Sequence, residues 1–185
     1  HYACSDCSAL TSVVIPKSVL SIGEGSFYGC ENIIAIVIPG SVVSIARNPI
    51  PNCPRLLSVE VAEGNRNFTF VDGVLFNKEK TRLISCLTSL KGNYEIPDTV
   101  LLIDDFAFYG CQYLEFVAIP ESVKSIGSDS FFCCLSLENV TIPKSVISIG
   151  IHAFEGCTGL NTVSVPVGLR YPSSAFDKTA KIIIY

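Results

Sequence analysis

A 23-residue period governs this chain. Residues 137–159 read Leu137-x-x-Val140-x-Ile142-Pro143-x-Ser145-Val146-x-x-Ile149-Gly150-x-x-Ala153-Phe154-x-x-Cys157. The same pattern starts at Leu114, again at Lys91 and Leu10, and in a worn form at Ile33. A fixed period of this length marks a solenoid, in which each repeat is one coil that buries its apolar residues only against its neighbours. With coils starting at 10, 33, 56, 91, 114, 137 and 160, residues 1–185 read as one stacked domain.

Within each coil, Val-x-Ile followed by Pro is a short alternating strand, as in Val13-Val14-Ile15-Pro16 and Val117-Ala118-Ile119-Pro120. β-branched residues at period two favour a strand, and Pro fixes where the chain leaves the ladder. Stacking sets these strands in parallel register and predicts one sheet. The second half-coil, Ser18-Val19-x-x-Ile22-Gly23 and its copies, turns Val and Ile inward, with Gly permitting the next bend. The Phe of Ser26-Phe27, Ala107-Phe108, Ser130-Phe131 and Ala153-Phe154 then predicts a stacked phenylalanine spine.

Two coils depart from the pattern. The coil from Ile33 carries Ala46 and Ile50 where others carry Gly and Phe, inside Arg47-Asn48-Pro49-Ile50-Pro51. The prolines reject a helical turn, and Ile50 fills the core position. The interval from Leu56 to Lys91 is 35 residues, one period plus twelve. There Val74-Leu75-Phe76 and Leu83-Ile84-Ser85 flank a polar Asn77–Arg82 link, which predicts a hairpin within about 66–90, projecting from or replacing the outer half-coil. Such insertions carry binding specificity in some solenoids and are decorative in others.

Six of the nine cysteines fall in one column: Cys7, Cys30, Cys53, Cys111, Cys134 and Cys157. Parallel neighbours about 4.8 Å apart point the same way, whereas a disulfide needs converging Cβ vectors. The column therefore reads as a buried ladder of free thiols acting as small hydrophobes. Cys4, Cys86 and Cys133 lie off it. Cys4-x-x-Cys7 has no second ligand pair and does not predict zinc.

Composition narrows the function classes. Hydrophobic residues are 49% of the chain, but Pro, Ser or Gly break every apolar run before the ~20 residues of a membrane span. Net charge is −4 and the 13 Lys and Arg are scattered, which argues against nucleic-acid binding. The only histidines are His1 and His152, and His152 reads as an exposed spacer. No nucleophile–His–carboxylate set, phosphate loop or calcium loop can be assembled, so the chain reads as a non-enzyme without cofactors or metals.

The motif LxxVxIPxSVxxIGxxAFxxC resembles the BspA-like class of leucine-rich repeat proteins over about residues 10–176. The insertion FVDGVLFNKEKTRLISC is similar to the DGVLYNKDKTxLI segment that interrupts repeats in that family. The chain departs from the usual leucine-rich repeat, which has Asn in the turn and a helix on the convex side. The resemblance implies a leucine-rich-repeat-like solenoid, mostly β, with a parallel concave sheet, short turns or extended segments on the convex side, and a right-handed superhelix. It also implies a cell-surface or secreted protein of host-associated microbes that adheres to host matrix proteins, host cells or other microbes.

What remains for function is surface. The pleat turns Ser12 and Val14, Ala35 and Val37, Ser58 and Glu60, Asn93 and Glu95, Phe116 and Ala118, Asn139 and Thr141, and Thr162 and Ser164 outward. Val14, Ala35 and Val37 form one apolar cluster and Phe116 with Ala118 a second, the candidate contacts for a protein or glycan partner. Leu20, Val43, Leu101 and Ile147 form another column on the outer half-coil, either semi-buried or a surface for a homo-oligomer. Two readings follow: an interaction module using the concave face, or a structural spacer or self-assembling unit of a larger surface protein.

Overall fold

The structure, a computed structural model, describes residues 2–185. No helix forms among them, and the chain coils into a β-solenoid. In the N-terminal coils β1 (Ser12–Val14) precedes β2 (Ser21–Ile22), β3 (Ala35–Ile38) precedes β4 (Ser44–Ile45), and β5 (Ser58–Val61) leads into the insertion. The insertion forms β6 (Phe68–Val71), β7 (Val74–Asn77) and β8 (Arg82–Cys86). Regular coils resume with β9 (Lys91–Glu95), β10 (Leu102–Ile103), β11 (Tyr113–Ala118) and β12 (Ser125–Ile126). They end with β13 (Asn139–Thr141), β14 (Ser148–Ile149), β15 (Thr162–Val165) and β16 (Lys181–Ile184).

The register is the sequence period in three dimensions. Ser12 faces Ala35 and Ala35 faces Ser58, while Ser125 faces Ser148, all in parallel pairs. Inward residues of the long strands are buried and their neighbours exposed, as in the Ala35–Ile38 alternation.

The single long-strand sheet expected from stacking is instead two sheets, β1-β3-β5 and β9-β11-β13-β15-β16. The insertion divides them. It is more than the expected hairpin: β6, β7 and β8 form an antiparallel meander, and β8 then pairs in parallel with β10 of the short-strand sheet. Both faces of this meander are buried. Phe68, Leu75, Ile84 and Leu87 pack into the N-terminal core, and Val74, Phe76, Leu83 and Cys86 into the C-terminal core. The insertion is thus a septum that closes each half of the solenoid on one side. Asn65, itself buried, holds its entry: the side-chain amide donates to the Pro39 and Val42 carbonyls, and its Oδ1 accepts from the Asn67 and Phe68 amides.

The septum accounts for the breaks in the repeat. Leu83 aligns with Ile103, and the Cys86 amide bonds to the Ala107 carbonyl as the Phe131 amide bonds to that of Ala153. Cys86 therefore stands at the Phe position of its coil. Two residues lie between Leu83 and Cys86 where four lie between Ile103 and Phe108, so the entry to this turn is cut short. The coil before it reaches across: Asn48 donates to the Phe106 carbonyl at 2.5 Å and accepts from Ser85 Oγ.

The glycine column has a cause other than the bend expected of it. A Cβ at Gly150 would lie 2.3 Å from the Ser128 nitrogen, and one at Gly127 2.4 Å from that of Asp105. The backbone of the preceding coil occupies that space. At the same position beside the shortened turn stands Asp104, and its carboxylate takes a two-point contact from Arg82, 2.8 Å to Nε and 2.6 Å to Nη2. Arg47 adds an ion pair to Asp105 at 3.1 Å.

The phenylalanine spine runs through the C-terminal half. Phe108, Phe131 and Phe154 stack with centroids 4.7 Å apart and nearly parallel planes, and Phe176 continues at 5.5 Å. Phe27 is not part of it: it lies in the N-terminal core, where Ile50 fills the next level, and Cys86, at the Phe position of the coil after, already belongs to the C-terminal core.

In the thiol ladder, each Sγ of Cys30, Cys53, Cys134 and Cys157 donates to the carbonyl at the Phe position of the previous coil, at 3.0–3.3 Å. Burial pushes Cys53 up to about 12 and Cys134 well above the ordinary thiol range. Cys111 departs from the expected ladder of free thiols, because it is disulfide-bonded to Cys86. The shortened turn brings this extra cysteine, from outside the column, against it.

Candidate functional site: the long-strand face

Every residue expected on the outer side of the long strands lies there. Val14 is 88% exposed and sits beside Val37 in the register, with Ala35 between Ser12 and Ser58 in the adjacent row. Phe116 is 45% exposed between Asn93 and Asn139, and Ala118 is half-buried beside Glu95. The structure thus brings Val14, Ala35 and Val37 together. It does not join them to Phe116 and Ala118, which belong to the other sheet.

Two large contributors escape a strict alternation. Ile34 and Leu57 are exposed, Leu57 at 70%, and the Leu57 amide bonds to the Ile34 carbonyl, so they are neighbours. Counting back by twos from Ile36 would bury Ile34. However, the LxxV spacing places two residues between consecutive inward side chains, and both face solvent. The same irregularity appears in β11 as a register shift between Leu114 and Phe116. The spacing itself carried the signal.

The extra column distinguishes the two halves. Thr11, Ile34 and Leu57 follow one another on the N-terminal sheet, and Glu115, Glu138 and Asn161 on the C-terminal one. The N-terminal face is therefore apolar across Val14, Ile34, Val37 and Leu57. Beside it a groove of about 620 Å³ runs between Val14, Val37 and the Pro16 and Pro39 turns, flanked by Lys17 and Glu63. The C-terminal face sets Phe116 between the amides of Asn93 and Asn139, and exposed Tyr113 beside Lys91.

The outer column is not semi-buried. Leu20, Val43, Leu101 and Ile147 are all exposed on the short-strand side, with Lys124 between Leu101 and Ile147. His152 is half-exposed, with Asp129 at 3.8 Å and Glu155 at 3.6 Å. Among the described residues no group of three or more His, Cys, Asp or Glu is placed to hold a metal ion. Nor is any helix among them long and apolar enough to cross a membrane.

The comparison that decides the family is a model of the BspA type leucine-rich repeat region, which matches residues 1–91 and 84–184 with six copies. The chain belongs to the BspA-type leucine-rich repeat family. Solved structures agree on the fold. The pneumococcal vaccine antigen PcpA is similar over 90% of this chain and 48% of its own, with 24% identity and a TM-score of 0.72. A leucine-rich cell surface protein of Faecalibacterium prausnitzii matches 97% of this chain and 60% of its own, with 22% identity and a TM-score of 0.71. A leucine-rich repeat protein of Eubacterium ventriosum gives 24% identity over 98% and 57%, with a TM-score of 0.68. The chain thus spans about half to three-fifths of the length of these proteins. No curated protein matches it significantly in sequence.

Proposed function

We propose that residues 1–185 act as one non-enzymatic interaction module of a cell-surface or secreted protein, binding a protein partner through the long-strand face, expected to be the concave one. The observation that carries this reading is the apolar surface of Val14, Ile34, Ala35, Val37 and Leu57, laid out on one rigid sheet. Contiguous exposed apolar residues rimmed by polar ones mark interaction sites. Phe116 with Ala118 supplies a second anchor of the aromatic type that dominates interface energetics. A host matrix or cell-surface protein is the partner class the family implies.

The test is surface plasmon resonance of the intact chain over immobilised extracellular matrix proteins. Val14→Asp and Phe116→Asp are each expected to weaken a bound partner at least about tenfold, or about 1.4 kcal/mol, without moving the thermal midpoint. Unchanged affinity in both variants refutes the reading.

The exposed Leu20, Val43, Leu101 and Ile147 favour a second reading, a spacer or self-assembling unit that buries the short-strand side against another copy. Light scattering across a concentration series tests it: a concentration-dependent dimer abolished by Ile147→Asp supports it, and a monomer throughout rejects it.

A further inference from the structure

The turn face carries a groove that the regular repeat would not produce. Leu87 stands where Tyr109 stands one coil later, yet it is buried in the N-terminal core, so the turn of the 56–90 coil is drawn inward. This leaves a gap between the turns on either side. Thr88 and Ser89 line its floor, Asn52 and Pro54 one wall, and Tyr109, Gln112 and Tyr113 the other. Its volume is about 330 Å³, within the ~300–1,000 Å³ of small-ligand sites.

The chemistry of the lining is specific. No Asp, Glu, Lys, Arg or His lines the groove. Burial raises the pKa of the Tyr109 hydroxyl, which therefore stays uncharged. The Tyr109 ring is fixed before any ligand arrives: it stacks on Phe132 at 5.2 Å and 10°, and Phe106 leans on it at 6.0 Å. A ring already immobilised loses little freedom on binding. Tyr113 is 55% exposed at the rim. Among the described residues no partner engages the side-chain amides of Asn52 and Gln112 or the Ser89 hydroxyl. Thr88 Oγ1 donates to the Cys53 carbonyl, which leaves its lone pairs to accept. Beyond Tyr109 lies a smaller pocket of about 100 Å³ lined by Tyr2, Tyr28 and Phe106.

We propose that this groove binds an uncharged carbohydrate, one or two hexose units of a neutral glycan. The C–H face of a pyranose ring is weakly positive and fits the negative π face of a tyrosine. Side-chain amides and hydroxyls each present donors and acceptors, which suits a ring bearing adjacent hydroxyls. A sulfated or sialylated sugar would find no cation in the lining, Lys91 standing only beside Tyr113 in the register. A proline-rich peptide would use the rings and offer its carbonyls, but it has few N–H donors for the amide oxygens on both walls. Tyr113, at the start of β11, is shared with the edge of the long-strand face, whereas the other groove residues lie on the turns, and the proposal does not depend on the protein-binding reading.

The experiment is a glycan array probed with the intact chain. It carries neutral oligosaccharides of glucose, galactose, mannose and N-acetylglucosamine, their sulfated and sialylated counterparts, and a proline-rich decapeptide. Calorimetric titration of the strongest neutral oligosaccharide follows, into the native chain and into Gln112→Ala, Asn52→Ala, Tyr113→Ala and Phe116→Asp. The expected result is binding of a neutral sugar that falls at least about tenfold in Gln112→Ala and Tyr113→Ala and is unchanged in Phe116→Asp. Asn52→Ala, on the opposite wall, weakens it too, which separates loss of contact from a local disturbance of one turn. Binding of no neutral sugar, of charged sugars only, or of the peptide alone overturns the proposal. So does neutral-sugar binding that the groove variants leave intact.

Discussion

Replacing Phe131 with Ala tests the packing that holds the C-terminal half together. Phe131 is fully buried, with Phe108 on one face and Phe154 on the other, both centroids at 4.7 Å and planes within 7°. At a ring separation of about 3.5 Å this spacing requires an offset stack, the favourable arrangement for aromatic quadrupoles. Burying and then deleting a phenylalanine side chain costs about 3–5 kcal/mol. Phe131→Ala should fall near the upper end, about 5 kcal/mol, because both stacked pairs are lost and neither neighbouring ring can collapse into the cavity without leaving its own coil. Phe176→Ala is the internal comparison. Phe176 stacks on only one ring of the spine, Phe154, at 5.5 Å and 23°, meets Tyr171 edge-on at 5.0 Å, lies at the end of the stack, and should cost about 3 kcal/mol. The assay is urea unfolding followed by far-ultraviolet circular dichroism and tyrosine fluorescence, with the two variants compared at equal m. The reasoning fails if Phe131→Ala costs less than about 2 kcal/mol, or if the two variants cost the same.

Gly150→Ala should destabilise by about 1–3 kcal/mol, since its Cβ meets the backbone of the previous coil and not a movable side chain; an unchanged urea midpoint would contradict this. In native alkylation with iodoacetamide, exposed Cys7 should react first and Cys53, Cys134 and Cys157 only on unfolding. Mass analysis after unfolding without reductant should leave Cys86 and Cys111 unlabelled, and labelling of both would remove the disulfide from the account. Burial raises the pKa of Asp104 above the ordinary 3.8 despite Arg82, so the folded chain holds that proton more tightly than the unfolded one. Its contribution to stability therefore falls as pH climbs from about 3.8 through the raised value, and Asp104→Asn should flatten that part of the urea-midpoint profile. Identical pH profiles for the two proteins would refute the assignment.

The regular coils were legible because each inward position repeats: Val140 and Val163 reach the core for the same reason, and one register explains both. The insertion was legible as strands but not in its placement. Val74-Leu75-Phe76 is apolar at every position because it is buried on two faces, and an apolar run of three does not reveal which cores it faces. Once the septum is in place, the irregularities around it have causes. Asp104 replaces glycine where the preceding backbone is missing, Asn48 spans the shortened turn, and Cys86 meets Cys111. Periodicity could only record these as departures. On the long-strand face, Val14, Ala35, Val37 and Phe116 followed from the pleat, whereas Ile34 and Leu57 were hidden by the two-residue spacing of LxxV. The groove beside Tyr109 arises from the inward pull on Leu87, which no repeat position encodes.

The most direct test of the interaction reading is site-specific photocrosslinking. A benzoylphenylalanine at Val37, on the long-strand face, is compared with one at Ile147, on the short-strand side, in the presence of a bound matrix protein. The account predicts a crosslink to that protein from position 37 and none from position 147. A crosslink from position 147 alone, or from position 37 only to a second copy of this chain, would contradict it.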